Sequence, residues 1–125
     1  MSNALVDNIG NASGSLTTPT QYVVRGSAKA WANLNGTGTI ALRDSLNVSS
    51  VVDNSTGTYT FNYATSMQDA QYSIIPSCDQ VGGSSHTARP TNPLSAASTQ
   101  INIGQGGVTA QDREIVLLSL MGDLA

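Results

Sequence analysis

Several short runs of this sequence alternate between apolar and polar residues with a period of two. In residues 58–63, Tyr59, Phe61 and Tyr63 fall on one side, with threonine and asparagine on the other. Residues 28–34 and 98–103 alternate in the same way, and in the first of these runs the three alanines and Leu34 fall on one face and Trp31 on the other. Because successive side chains of a β-strand point to opposite faces, the pattern predicts half-buried strands with the three aromatic rings in the core.

Residues that favour turns separate these runs. The pair Asn35-Gly36 predicts a tight hairpin turn, since both residue types tolerate a positive φ, and we expect the chain to return as a strand over 38–43. The run at 53–57 is a second predicted turn by its composition. The double serine at 49–50 interrupts an alternating stretch, which indicates a β-bulge or a kink.

The other segments are assigned from apolar runs and from breakers. We predict strands at 22–24 (ending at Gly26), 71–75 (ended by Pro76) and 114–121, and loops at 81–93 and 104–111. The run at 114–121 is almost entirely apolar, which predicts a strand buried on both faces; a helix is the alternative there. About seven to nine short strands separated by turns predict an all-β fold, a single β-sandwich or barrel-like domain.

The first 20 residues differ from the rest. Residues 1–9 fit either a short helix or an extended arm, and residues 10–20 are small and polar with one proline, which is typical of a linker. We therefore divide the chain into an N-terminal arm over 1–20 and a β-domain over 21–125. The candidate anchor residues of the arm are Leu5, Val6 and Ile9, and a frayed terminus is the alternative.

The composition indicates a subunit of an assembly. Ser, Thr, Asn and Gly together make up roughly 40% of the chain, and charged residues are 10%, against about a quarter in an ordinary soluble domain. A small core with few surface charges predicts that much surface is buried against other subunits, although a monomer with an uncharged polar surface is the alternative. We expect a homotrimer in which Ile115, Leu117 and Leu120 line a shared axis.

The charge, the cysteine count and the apolar runs of the sequence argue against several partners and locations. The net charge of −3 and five scattered Lys and Arg residues do not suit a phosphate backbone, so we expect no nucleic acid partner. The single cysteine, Cys78, cannot form an intramolecular disulfide, which suits a reducing cytoplasm. The sequence has no signal-peptide pattern at its start and no apolar run of about 18 residues, so we expect no membrane span.

Patterns of catalytic residues are not found. His86 and Cys78 are the one histidine and the one cysteine, and His86 lies in a Gly- and Ser-rich stretch without a catalytic signature. We interpret Cys78 as a small buried apolar residue. Dispersed acids give no metal-ligand spacing, and the Gly-rich runs lack the lysine of a phosphate-binding loop. The sequence therefore predicts no enzyme activity, no metal and no cofactor.

Two blocks of sequence resemble a known family. Residues 28–62 read AKAWANLNGTGTIALRDSLNVSSVVDNSTGTYTFN, and the chain ends in EIVLLSLMGDLA. The KAW, NGTG, RDS, NVSSV and GDLA elements resemble phage tail-fibre and related virion surface proteins. The resemblance spans nearly all of the chain after the arm, although residues 76–107 match no fixed pattern. It implies a β-rich terminal domain on a fibre, commonly trimeric and displayed at the particle surface.

Two functions follow from this resemblance. One is a short trimeric tail fibre or tip protein for host attachment, and the alternative is a capsid decoration or cement protein. Either would be made in the host cytoplasm and would join tail, baseplate or capsid proteins in the virion. For the fibre, the candidate receptor-contact loop has polar groups that suit a host surface glycan, and its residues are Ser84, Ser85, His86, Arg89 and Asn92. A polysaccharide-degrading tailspike would need a carboxylate pair that we do not find.

Overall fold

The computed structural model describes residues 6–79, 86–91, 94–105 and 109–125, with the backbone alone at 86 and 105. Strands make up 57% of it, which confirms the all-β prediction. Within the described residues the elements are β1 (Asn8–Gly10), β2 (Thr17–Pro19), α1 (Thr20–Gly26), β3 (Ala28–Asn35), β4 (Ala41–Leu46), β5 (Val48–Ser55), β6 (Thr58–Tyr63), β7 (Ser73–Cys78), β8 (His86–Pro90), β9 (Ser98–Gln105), β10 (Thr109–Ala110) and β11 (Val116–Met121). There are more strands than predicted because β1, β2 and β10 are too short for alternation to show, and because β8 lies in a stretch that was predicted to be a loop.

The strands of the β-domain form two antiparallel sheets. Sheet I has the order β4-β3-β11-β7, and sheet II has the order β10-β9-β6-β5, with β8 also paired to β9. The chain passes from sheet I to sheet II at Asn47, between β4 and β5, where φ is +56°. β1 and β2 form a separate two-stranded hairpin.

The core lies between the two sheets and is built mainly by alternate residues of four strands. β6 contributes its three aromatic rings, which confirms the prediction from its alternation. The buried apolar side chains are Ala30, Ala32, Leu34, Tyr59, Phe61, Tyr63, Met67, Tyr72, Ile101, Ile103, Val116, Leu118 and Leu120. Burial of this apolar area is the main favourable contribution to folding.

Tyr59 connects the two sheets at one end of this core. Its hydroxyl lies 2.8 Å from the Gly36 carbonyl oxygen and 2.7 Å from Asp112 Oδ1, and it can donate its one proton to either. Asp112 Oδ1 also accepts the Gly57 N–H at 2.7 Å. Burial is the main cause that raises the pKa of Tyr59 above its ordinary value, and the hydrogen bond to Asp112 adds to it. The contact therefore favours the neutral phenol.

The predicted hairpin between β3 and β4 is present, but its turn differs. Residues 36–40 form the loop, and the positive φ of +62° falls at Gly38. Gly36 serves a different purpose, because a Cβ there would lie 2.6 Å from the Tyr59 hydroxyl and 2.8 Å from the Arg113 carbonyl oxygen. The prediction of a two-residue turn at Asn35-Gly36 was therefore wrong. Glycine is needed at 36 for close approach.

Sheet II contains the predicted turn and bulge. The register of β5 on β6 shifts between Val48 and Ser50, which confirms an irregularity at the double serine. The Ser49 hydroxyl lies 3.1 Å from the Asn62 carbonyl oxygen, so the extra residue is tied to the partner strand. The turn that follows β5 has its positive φ, +65°, at Gly57.

Prolines occupy strand positions where the sequence predicted breaks. Pro76 lies inside β7, and Pro90 ends β8, in a stretch that was predicted to be loop. β7 is an edge strand of sheet I, where a residue without an N–H is tolerated. β7 runs beside β8, yet no main-chain ladder joins them within the described residues. The sheets therefore stay separate along this side, as in a sandwich rather than a closed barrel.

Two further predictions were wrong. Residues 22–24 lie in helix α1 and not in a strand. No described strand pairs with them, and a helix satisfies backbone hydrogen bonds within itself. The predicted loop at 104–111 is partly strand, since β9 extends to Gln105 and β10 follows.

Candidate assembly surface

The outward face of sheet I carries apolar side chains across all four strands. Trp31 lies opposite Leu46 on one side and Ser119 on the other, and Ser119 lies opposite Ile75. Directly opposed residues in antiparallel strands share a face. The neighbours of Trp31 in β3, Ala30 and Ala32, are buried in the core, so this row points outward. Ile115, just before β11, accepts the Asp79 N–H and so continues the pairing with the β7 side by one residue, and it is exposed like Leu117. We call the surface formed by Trp31, Leu46, Ile75, Ile115 and Leu117 the apolar face.

Leu117 extends this surface in the next row along the strands. It lies opposite Asn33 and Ser77, and Asn33 lies opposite Asp44. Leu117 is 39% exposed and Ile75 is 54% exposed. Large apolar side chains that are grouped and open to solvent in this way mark interaction surfaces.

Charged groups stand at the edge of the apolar face. Arg43 Nη1 donates to the Glu114 carbonyl oxygen at 2.6 Å, and its Nη2 lies 3.5 Å from Glu114 Oε1. Asp44 is exposed in the edge strand β4. An apolar centre with a charged rim is the ordinary composition of a protein interface.

The outward face of sheet II is polar by contrast. Asn102 Nδ2 donates to Thr58 Oγ1 at 2.8 Å, and Asn54 Nδ2 donates to Thr60 Oγ1 at 2.7 Å. Gln100 Nε2 lies 3.3 Å from the same Thr60 hydroxyl. We call the outward surface of sheet II the polar face. It also includes the pair Asn62 and Ser50, joined at 3.0 Å, and the exposed apolar side chain of Val52.

The three predicted axis residues do not lie together. Ile115 and Leu117 are on the apolar face, but Leu120 is 0% exposed and belongs to the core. The prediction that β11 is buried on both faces was therefore wrong: its inward residues are buried and Leu117 is open. Leu120 cannot face a partner together with Leu117, because residues an odd number apart point to opposite faces of a strand.

The arm is organised but has no core of its own. Leu5 lies outside the described residues, whereas Val6 and Ile9 are exposed. In residues 6–27 every side chain is exposed except Thr20, which is half-buried. We call residues 6–27 the N-terminal segment. It consists of the β1–β2 hairpin and α1, so the expectation of a linker over 10–20 is replaced by a turn and a strand.

Two side chains tie the N-terminal segment to the β-domain. Lys29 Nζ donates to the carbonyl oxygen of Val24 near the end of α1 and to that of Ser27. Arg25 Nη2 lies 3.2 Å from Asp123 Oδ2. Beside this ion pair is an open polar hollow of about 410 Å³, lined also by glutamines 68 and 71. The helix is thus held at its end rather than packed along the domain.

The candidate receptor-contact residues are only partly described. Ser84, Ser85 and Asn92 lie outside the described residues, and His86 is described by its backbone. Arg89 lies in strand β8, exposed, at the position opposite residue 102 of β9. The stretch at 81–93 was predicted to be a surface loop, and this was wrong for 86–90. Pairing to β9 satisfies the backbone there, which the sequence alone did not show.

The described residues offer little for chemistry. Cys78 is half-buried, and desolvation raises the pKa of its thiol. Within residues 6–79, 86–91, 94–105 and 109–125, no group of three or more His, Cys, Asp and Glu residues could hold a metal ion. In the same residues, no helix has the length and apolar character needed to cross a membrane. The feature that stands out is the apolar face.

No family model, no curated protein and no solved structure matches this chain.

Sequence reasoning found only part of the apolar face: its members at 115 and 117 were among the predicted axis residues. The alternation of β3 did assign Trp31 to the side opposite Ala30 and Ala32, and that was the available signal. Leu46 and Ile75 could not be grouped with it, because register across strands is set by pairing and not by local pattern.

Proposed function

We propose that the chain is a non-catalytic structural component of a tailed-phage virion, a short trimeric tail fibre or tip protein displayed at the particle surface for host attachment. The observation that carries this proposal is the apolar face, which lies open on a sheet whose other side is packed in the core. A surface of this kind suits attachment to further protein. The resemblance of residues 28–62 and of the chain end to tail-fibre proteins supports the choice of assembly.

The measurement that tests the assembly is the mass of the full chain by light scattering at micromolar concentration. We expect a trimer. Leu117→Lys, on the apolar face, should reduce it to a monomer, because an unpaired charge would be buried in the contact. The matched control is Val52→Lys on the polar face, which should leave the mass unchanged. A monomeric wild-type chain contradicts the proposal.

The position in the particle separates the fibre from a capsid decoration protein. A map of the intact virion should show a few copies of the chain at the tail, joined to tail or baseplate proteins. Copies at every three-fold position of the capsid would overturn the fibre proposal and favour the decoration protein. The apolar face would then contact capsid subunits.

Host contact is tested best at Arg89. Replacing a long stretch around it would remove β8, so a single exposed substitution is cleaner. For a tail fibre that binds a surface glycan, Arg89→Ala should lower adsorption of particles to host cells with the protein's mass unchanged. Thr87→Ala, at another exposed position of the same strand, is the control. Unchanged adsorption of the Arg89 variant excludes this residue as a contact.

A further inference from the structure

The N-terminal segment buries no apolar side chain that would hold its shape in water. A two-stranded hairpin by itself is marginally stable, and helices shorter than about 12 residues are marginal even in favourable sequences. Here the strands have 3 residues each and the helix has 7. Its apolar side chains are open to solvent, with Tyr22 at 65% exposure and Leu16 at 72%. Such a segment keeps its structure by packing on another surface.

The segment does not fold back over the sheet that it leads into. Ser27, the one residue between α1 and β3, is extended, with φ −81° and ψ 147°. Lys29 holds the end of the helix at that position. Apart from the half-buried Thr20, every residue from 6 to 27 is exposed, so the apolar side chains of the segment stay uncovered.

These two uncovered apolar surfaces belong to one chain and therefore occur in equal numbers. We propose that the N-terminal segment of one copy docks on the apolar face of a neighbouring copy, with its exposed apolar side chains, those of α1 among them, against Trp31, Ile75 and Leu117. This inference rests on the proposed function and names the partner of its surface. Each copy then gives one segment and receives one, a head-to-tail contact that forms a ring of three in the trimer proposed above.

The size and the charge of the N-terminal segment fit the apolar face. Residues 6–27 supply about as many side chains as one side of a standard interface, roughly 20–30. The face has exposed Asp44 at its edge beside the Arg43–Glu114 pair, and the segment carries Arg25, whose side chain stays 71% exposed in its pair with Asp123. Complementary charges at a rim orient two surfaces. The polar face offers no comparable apolar area within the described residues.

A mixing experiment distinguishes this contact from others. The segment variant carries Tyr22→Lys and Val24→Lys, and the face variant carries Ile75→Lys and Leu117→Lys. All four positions are exposed, so both proteins should keep the circular dichroism of the wild type. Each variant alone should be monomeric. Mixed at tens of micromolar, with one isotopically labelled, they should form a 1:1 dimer in native mass spectrometry, because one intact segment still meets one intact face.

The other outcomes separate the two proposals. If the segment variant keeps the wild-type oligomer while the face variant is monomeric, the segment is not the occupant, and the faces contact each other directly. If both variants are monomeric and their mixture gives no dimer, docking of segment on face is overturned. A monomeric wild-type chain overturns the proposed assembly itself, and this inference with it. Val52→Lys controls for the added charge and should keep the wild-type mass.

Discussion

The two outward faces of this sandwich share one core but differ in how their side chains are satisfied. On sheet II, threonine, asparagine and glutamine residues hydrogen-bond to one another across β5, β6 and β9. On sheet I, the outward positions hold Trp31, Leu46, Ile75 and Leu117, whose carbon atoms cannot form such bonds and stay partly open. The polar side chains of the first face are hydrogen-bonded while the face is exposed to water. The second face is stabilised when its apolar side chains are covered.

This difference distinguishes the positions that matter for stability from those that matter for binding. Substitutions at inward positions mainly change the stability of the fold, because both sheets pack against these side chains. Outward positions on the polar face can change with small cost, since water replaces a lost hydrogen bond. Outward positions on the apolar face are where we propose that the protein contacts its partner. The predictions below test this division, beginning with the shared core.

The largest effect is expected for Phe61→Ala. Phe61 is fully buried and contributes to the core between both sheets. Its loss should lower the free energy of unfolding by about 3–5 kcal/mol. Chemical denaturation at equilibrium measures this. Asn62→Ala, at the next and outward position, is the control and should cost far less; equal losses at the two positions would break the distinction between inward and outward residues.

The hydrogen bonds of the Tyr59 hydroxyl should contribute the next largest effect. Tyr59→Phe should cost about 1–3 kcal/mol, because the Gly36 carbonyl oxygen and Asp112 lose a hydrogen-bond donor. The matched control is Tyr22→Phe, at an exposed tyrosine, which should be neutral. Urea unfolding at neutral pH gives both values. No loss in the Tyr59 variant would show that this contact does not help to hold the sheets together.

The same tyrosine gives a pH dependence. Burial raises the pKa values of Tyr59 and Tyr63 above the ordinary value, so the folded state holds these protons when the unfolded state has lost them. Stability is therefore fully present below about pH 10 and falls above it, by up to about 1.4 kcal/mol per pH unit for each tyrosine. Denaturation at several alkaline pH values should show a shallower fall for Tyr59→Phe. Identical slopes would contradict the role assigned to burial.

A smaller effect is expected on the polar face. Thr60→Val removes the acceptor for Asn54 and Gln100 and should cost about 0.5–1.5 kcal/mol, partly offset by the preference of valine for strands. It also places a second apolar side chain beside Val52, which lies opposite it. The mass should stay that of the wild type. A shift to larger species would show that two apolar residues are enough to make this face associate.

The smallest effect is expected for Arg25→Ala, which removes the ion pair with Asp123. The pair is largely exposed, and pairs of this kind contribute about 0–1 kcal/mol. The melting temperature of the β-domain should barely change. A large loss would show that the N-terminal segment is part of the folded core, against its exposure.

Those parts of the fold that depend on local pattern could be predicted from the sequence. The alternation in β3, β6 and β9 placed their core residues correctly, and the double serine marked the irregularity in β5. The predictions that failed concern segments whose structure depends on strands distant in the sequence. Residues 22–24 have strand-like composition but no described strand to pair with, and Pro76 is tolerated because β7 lies at an edge. The apolar face itself arises only when β4, β3, β11 and β7 are set in register.

The absence of a ladder between β7 and β8, within the described residues, has a consequence for motion. These strands lie side by side, and Pro76 and Pro90 lack the amide hydrogens that could link sheet I to sheet II there. Within the described residues β7 pairs only with β11 and β8 only with β9, so each of these edge strands has a main-chain ladder on one side and side-chain contacts on the other. Amide protons of β7 and β8 should exchange with deuterium before those of β3 and β6, because each edge strand is hydrogen-bonded to one neighbouring strand and β3 and β6 are each hydrogen-bonded to two.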